Sequence, residues 1–125
     1  MNSTGRKKTL LIVEDDIAIR ETFIEILESE GYSVVSAENG LEAVGVLQRG
    51  LKPSLILLDL MMPVMDGFSF RTRQMENSDW AGFPVMVLSA EVRMKDTLDF
   101  FKGSAYLQKP PDIDQLIQMV GENCL

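Results

Sequence analysis

The sequence contains no histidine and a single cysteine. Without histidine there is no Ser-His-Asp or Cys-His catalysis, no usual zinc site and no phosphohistidine carrier role. Chemistry is left to carboxylates, hydroxyls, lysine or a hard metal. Cys124, next to last in the chain, has no partner for an internal disulfide, so nothing points to an oxidising compartment. No run approaches the roughly 18 apolar residues of a membrane span. Basic side chains are scarce: 12 Lys and Arg face 19 Asp and Glu, for a net charge of −7. Gripping nucleic acid needs clustered cations to displace counterions, so that role is disfavoured. The one basic cluster, Arg6-Lys7-Lys8, is followed by only Thr9 to Val13 before Glu14-Asp15-Asp16. That stretch is too short, and too acidic at its end, for a signal peptide. Asn2-Ser3-Thr4 fits the glycosylation pattern, but with no secretory leader it reads as chance. A soluble, cytoplasmic protein is expected.

What is present is ordinary for a globular chain: 125 residues, 46% hydrophobic and 25% charged. One domain is the prior at this length, and it can bury about two-thirds of its unfolded surface. A polar lead, residues 1–8, is expected to precede a domain over 9–125. No internal repeat or linker divides it.

Short aliphatic runs alternate with helical periodicity. Leu10–Val13, Leu55–Leu58 and Val85–Leu88 are each too short for a helix and lack polar alternation. That fits strands buried on both faces. Tyr32–Ala37 and Ala105–Gln108 are weaker strands. Between them, Ile19, Phe23, Ile26 and Leu27 mark a helix stopped by Gly31. Ala43, Val44 and Leu47 mark a second, stopped by Gly50 and Pro53. Asp66–Met75 is a third with a weak apolar stripe. Met94, Leu98 and Phe101 suggest a fourth, stopped by Gly103. Ile113, Leu116, Ile117 and Val120 give a fifth, entered through Pro111 and Asp112. Five βα repeats predict an α/β, doubly wound, five-stranded parallel sheet with five helices, with an α+β fold as the alternative.

In such a sheet, ligands bind beyond the carboxyl ends of the strands. The strands lead into Glu14-Asp15-Asp16, Asp59, Ser89-Ala90 and Lys109-Pro110. Carboxylates in an all-oxygen setting suit Mg²⁺. A carboxylate beside such a cation can act as a nucleophile toward phosphorus. Lysine and a hydroxyl can stabilise the transferring oxygens. Each group alone has a bland reading as a cap or a surface residue, and Asp16 is expected to be a helix N-cap. Their joint placement at four strand ends argues for a site.

With these residues in place, the chain resembles the receiver domain of bacterial response regulators, the flavodoxin-like fold of CheY. The resemblance rests on Leu11–Asp16, on Leu57-Leu58-Asp59-Leu60-Met61-Met62-Pro63-Val64-Met65-Asp66-Gly67, on Val87–Ala90 and on Ala105–Pro110. It implies that Asp59 accepts a phosphoryl group from a phosphohistidine of a sensor histidine kinase or histidine phosphotransfer protein. It implies Mg²⁺ held by Glu14, Asp15, Asp59 and the Met61 carbonyl, with Asp15 the more direct of the acidic pair. Ser89 and Lys109 would contact the phosphoryl oxygens, and Ala90 would leave the aspartate accessible. Ser89 and Tyr106 would switch, and the Lys109-Pro110 bond would be cis. A downstream protein would read the face made by the fourth helix, fifth strand and fifth helix. With no DNA-binding segment after residue 125, output by surface contact or phosphoryl relay is expected.

Pro63 is expected to stiffen the loop after Asp59, Asp66-Gly67 to turn into a helix, and Met62 and Met65 to cover that loop. Phosphoryl lifetime is not legible in the sequence, and Met61 and Glu91, two residues past Asp59 and Ser89, are the positions to substitute in testing it. The Ser89–Lys109 segment looks short for the family, which puts borrowed partner geometry in question. Three rivals stand beside this reading. An aspartate-nucleophile phosphatase of the haloacid dehalogenase type needs Asp-x-Asp-x-Thr, and Asp15-Asp16-Ile17-Ala18-Ile19 lacks it. A non-phosphorylated receiver-like interaction module would keep the fold alone. A flavodoxin-like flavin binder would need a phosphate-cradling loop where acids sit.

Overall fold

The computed structural model describes residues 8–90 and 95–125. Five strands and five helices alternate. They are β1 (Thr9–Val13), α1 (Ile17–Ser29), β2 (Ser33–Ala37), α2 (Gly40–Gln48), β3 (Leu55–Asp59), α3 (Gly67–Glu76), β4 (Val85–Ser89), α4 (Lys95–Phe100), β5 (Ala105–Gln108) and α5 (Ile113–Asn123). The strands form one sheet in the order β2-β1-β3-β4-β5, all neighbours parallel. The order reverses beside β1, which makes the crevice between β1 and β3 the switch point.

The two-residue alternation of each strand divides the core. Leu11, Val13, Ile56, Leu58, Val85 and Val87 point to one face, under α2, Phe70 of α3 and Phe101. Leu10, Ile12, Leu55, Leu57, Met86 and Leu88 point to the other, under Phe23 and Leu27 of α1 and Leu116 and Val120 of α5. β3 and β4 are buried along their whole length, which is why their sequences are unbroken apolar runs. Asp16, Asn39, Asp66 and Asp112 each accept a backbone N–H three residues on and so cap α1, α2, α3 and α5. Gly31, Gly50 and Gly103 take positive φ where helical segments end.

Several details refine the sequence reading. Helix α4 contains no buried residue: Leu98 is 40% exposed, and only Phe101, just past the helix, enters the core. The segment is tied to α3 by aromatic contacts, with Phe68 5.3 Å from Phe100 and 5.5 Å from Phe101 between centroids. Met94, read as part of that stripe, lies outside the described residues, as do Glu91 and most of the N-terminal lead. Asp66-Gly67 leads into a helix as expected, with Gly67 the first residue of α3. The glycine is required by close approach, since a Cβ there would lie 2.6 Å from the Asp59 carbonyl oxygen. The weak stripe of α3 arises because fully buried Gln74 occupies a core-facing position, donating to the carbonyls of Trp80 and Phe83. Val64 adopts φ 69°, a left-handed conformation unusual for a β-branched residue.

Candidate functional site

The carboxyl ends of β1, β3 and β5 bring Glu14, Asp15, Asp59 and Lys109 together. Carboxylate oxygens of Glu14, Asp15 and Asp59 lie within 4.8 Å of one another. Glu14 is fully buried, Asp59 is 5% exposed, and Asp15 faces solvent. The Lys109 ammonium sits between the two buried acids, paired with Glu14 Oε1 and 3.3 Å from Asp59 Oδ2. No donor among the described residues gives Glu14 Oε1 a well-aligned hydrogen bond, so the ammonium meets it as an ion pair. Glu14 Oε2 accepts the Asp16 N–H at 3.2 Å. Asp16 itself is committed to capping α1, as expected.

Burial dominates the electrostatics. It pushes the Glu14 carboxyl up from its ordinary 4.5 to about 7; the Lys109 ammonium opposes the shift and Asp59 adds to it. Burial also raises Asp59, against Lys109 and a Met61 N–H that favour its charged form. Burial alone would lower Lys109, but the two carboxylates win and hold it above its ordinary value. One ammonium thus balances two buried acids, and the site has negative charge to spare.

The fit to a hard cation follows from the donors. Three carboxylates from two loops offer only oxygen, one face is open through Asp15, and a divalent ion would supply the positive charge that burial denies the two inner carboxylates. The surrounding cleft has a volume of about 790 Å³. Its acidic floor meets a largely apolar wall of Ile19, Phe23 and Ile26 from α1 and Pro110, Pro111 and Ile113 from the β5–α5 connection.

The remaining predicted residues surround this centre. Ser89 closes β4 at 3% exposure, and its carbonyl accepts the Lys109 N–H at 2.7 Å, locking the β4 and β5 ends in register. Ala90 lines the cleft and the Lys109-Pro110 bond is cis. Tyr106 is partly buried against the core. The Met61 side chain is 67% exposed at the cleft edge. Met62 and Met65 pack against the core, and the Met65 carbonyl accepts the Gly40 N–H at 2.8 Å. That bond fastens the β3–α3 loop to the start of α2. Sequence reasoning missed Arg20, whose guanidinium reaches back to the turn carrying Glu14 and Asp15.

Residues 10–121 match the family described as response regulator receiver domain. The chain belongs to that family. This receiver domain is 35% identical over 113 residues to the DNA-binding dual master transcriptional regulator RpaA of Synechocystis sp., covering 89% of the chain but 46% of that relative's length. It therefore spans about half of that protein. The chemotaxis protein CheY4 of Vibrio cholerae superposes with a TM-score of 0.86 at 27% identity, covering 94% of this chain and 99% of that one. The receiver domain of sensor histidine kinase PA1611 from Pseudomonas aeruginosa, with a magnesium ion coordinated in its active site cleft, superposes at 0.83 with 25% identity. That alignment covers 94% of this chain and 98% of the other. Membership of this family implies a histidine kinase or phosphotransfer partner, and the acidic cluster is consistent with phosphoacceptor and metal chemistry. Among the described residues no helix is long and apolar enough to cross a membrane.

Proposed function

We propose that this domain, residues 9–125 behind a short lead at 1–8, accepts a phosphoryl group on Asp59 from a partner phosphohistidine and presents a changed surface in response. The observation that carries this reading is Lys109 bridging Glu14 and Asp59 inside an all-oxygen cluster at the switch point. A structural salt bridge would need one acid; two buried acids on one ammonium, with the Asp15 carboxylate beside them, suit a site completed by a cation.

Mg²⁺ is the proposed cation, in keeping with the magnesium-bound relative, and Glu14, Asp15, Asp59 and the Met61 carbonyl would hold it. Bound there, it supplies charge to the transferring phosphoryl oxygens. Asp59 must be ionised to act, and Lys109 and the Met61 N–H favour that form against burial. An Asp59 carboxylate oxygen forms the new O–P bond while the P–N bond to the donor imidazole breaks, its electron pair leaving with the ring nitrogen. Lys109 and the Ser89 hydroxyl would then contact the phosphoryl oxygens. Ser89 and Tyr106 are the proposed switch, with output through the α4-β5-α5 face to a downstream protein in the cytoplasm. The apolar cleft wall gives the phosphodonor protein a surface to seat against.

Incubation with Mg²⁺ and a small acyl phosphate or phosphoramidate, followed by intact mass, tests the proposal. A single phosphoryl adduct that forms only with Mg²⁺ supports it. Equal labelling in EDTA contradicts the proposed metal site.

A further inference from the structure

The β1–α1 turn that bears Glu14 and Asp15 is fixed from several sides. The Glu14 N–H donates to the Ala37 carbonyl at 3.0 Å, and Asp16 caps α1 while its own N–H holds Glu14 Oε2. The carbonyls of Glu14 and Asp15 remain, and one side chain reaches both. Arg20, in the first turn of α1, places Nη1 2.8 Å from the Glu14 carbonyl oxygen and 3.5 Å from that of Asp15. Its backbone N–H meanwhile donates to the Asp16 carbonyl at 2.9 Å.

Two features separate Arg20 from an ordinary surface arginine. Asp15 and Asp16 are close in sequence, yet its guanidinium forms no ion pair among the described residues and is given to main-chain carbonyls instead. It also does not line the cleft. Its cation lies against the backbone of the acidic pair, on the side where the carbonyl dipoles would otherwise add negative potential to three clustered carboxylates. Partners that orient metal-binding groups typically carry about 10–100-fold in metal affinity.

We propose that Arg20 is a positioning residue: by holding the Glu14 and Asp15 carbonyls, it aims their carboxylates at the point shared with Asp59 and sets the affinity for the divalent cation. The inference rests on the reading of this cluster as a Mg²⁺ site. Arg20 acts through the turn and takes no part in phosphoryl transfer itself. A lysine could replace the charge but would make a single, less directed contact, so it substitutes only partly.

The test measures Mg²⁺ binding by calorimetry at pH 8 for wild type, Arg20→Gln, Arg20→Lys and Asp15→Asn, with thermal unfolding of each in EDTA. Arg20→Gln is expected to weaken Mg²⁺ by about 10–100-fold, and Arg20→Lys by less. In phosphodonor labelling, the Mg²⁺ needed for half-maximal rate should rise by the same factor, with the rate at saturating Mg²⁺ within about twofold of wild type. A purely structural role would lower the unfolding midpoint and the fraction of competent protein while leaving affinity unchanged, and that result overturns the proposal. So does wild-type affinity in Arg20→Gln. If Arg20→Gln does not fold, Arg20→Lys decides: unchanged affinity overturns the proposal, and weakened affinity in a folded protein supports it. Wild type that binds no Mg²⁺, or Asp15→Asn that binds it equally well, overturns the underlying metal-site reading and this inference with it.

Discussion

Glu14 should make magnesium binding strongly dependent on pH. A cation at this cluster needs the Glu14 carboxylate, yet burial raises that group to about 7. Below that pH the metal must displace a proton. For one linked proton the affinity is divided by 1 + 10^(pKa − pH), which is about 11 at pH 6 and about 1.1 at pH 8. Affinity should therefore rise about tenfold between those two pH values. Binding should release about 0.9 proton at pH 6, about 0.5 at pH 7 and about 0.1 at pH 8. Calorimetry in two buffers of different ionisation heat reads both quantities at once. The metal-free protein should show the linked effect on stability. A carboxyl raised in the folded state binds more protons there than in the unfolded chain, so stability falls as pH rises from 4.5 toward 7. The loss is at most about 3 kcal/mol, and Mg²⁺ should offset it. Asp59 shifts in the same direction and adds to the trend, whereas the raised Lys109 titrates only at alkaline pH. Flat Mg²⁺ affinity from pH 6 to 8, with no proton release, would refute the reasoning.

Other consequences follow from single contacts. Lys109→Met leaves Glu14 and Asp59 buried without their cation. It should cost about 2–4 kcal/mol in urea unfolding at pH 7 without metal, less at pH 5 where the acids protonate. Val64→Gly should stabilise the fold by up to about 1 kcal/mol: a left-handed non-glycine residue costs about 1–2 kcal/mol, and glycine's greater chain entropy takes back part of it. Thermal unfolding that shows a loss instead would mean the Val64 side chain contributes contacts that outweigh the strain. Gln74→Leu strips the donor from the Trp80 and Phe83 carbonyls. It should destabilise by about 1–3 kcal/mol and shift the fluorescence of Trp80, the only tryptophan in the chain.

The doubly wound fold was legible because its strongest strands are buried on both faces and so read as unbroken aliphatic runs. Its helices are marked by acid or amide caps and positive-φ glycines. The acidic cluster was legible for a related reason, since strand ends in this topology converge and their next residues can be read directly. Helix α4 lies where expected, but its apolar spacing misled at Leu98, which faces solvent, and among the described residues of the segment Phe101 is the one in the core. Gln74 looked like a break in a stripe, because its value lies in carbonyls six and nine residues away. Arg20 carried no signal, since a helical arginine is ordinary until its guanidinium is seen to turn back on Glu14. Asp66-Gly67 leads into α3 as expected, but the close approach of Gly67 to the Asp59 carbonyl needed the structure to be seen.

The central claim is that Asp59 is the phosphorylated residue. The direct measurement is peptide mapping after labelling with a small phosphodonor and Mg²⁺, with the acyl phosphate trapped by reduction to mark its position. The account predicts one marked residue, Asp59, and no adduct in Asp59→Asn, which should remain folded. A mark on Glu14, Asp15 or Ser89, or an undiminished adduct in Asp59→Asn, would contradict it.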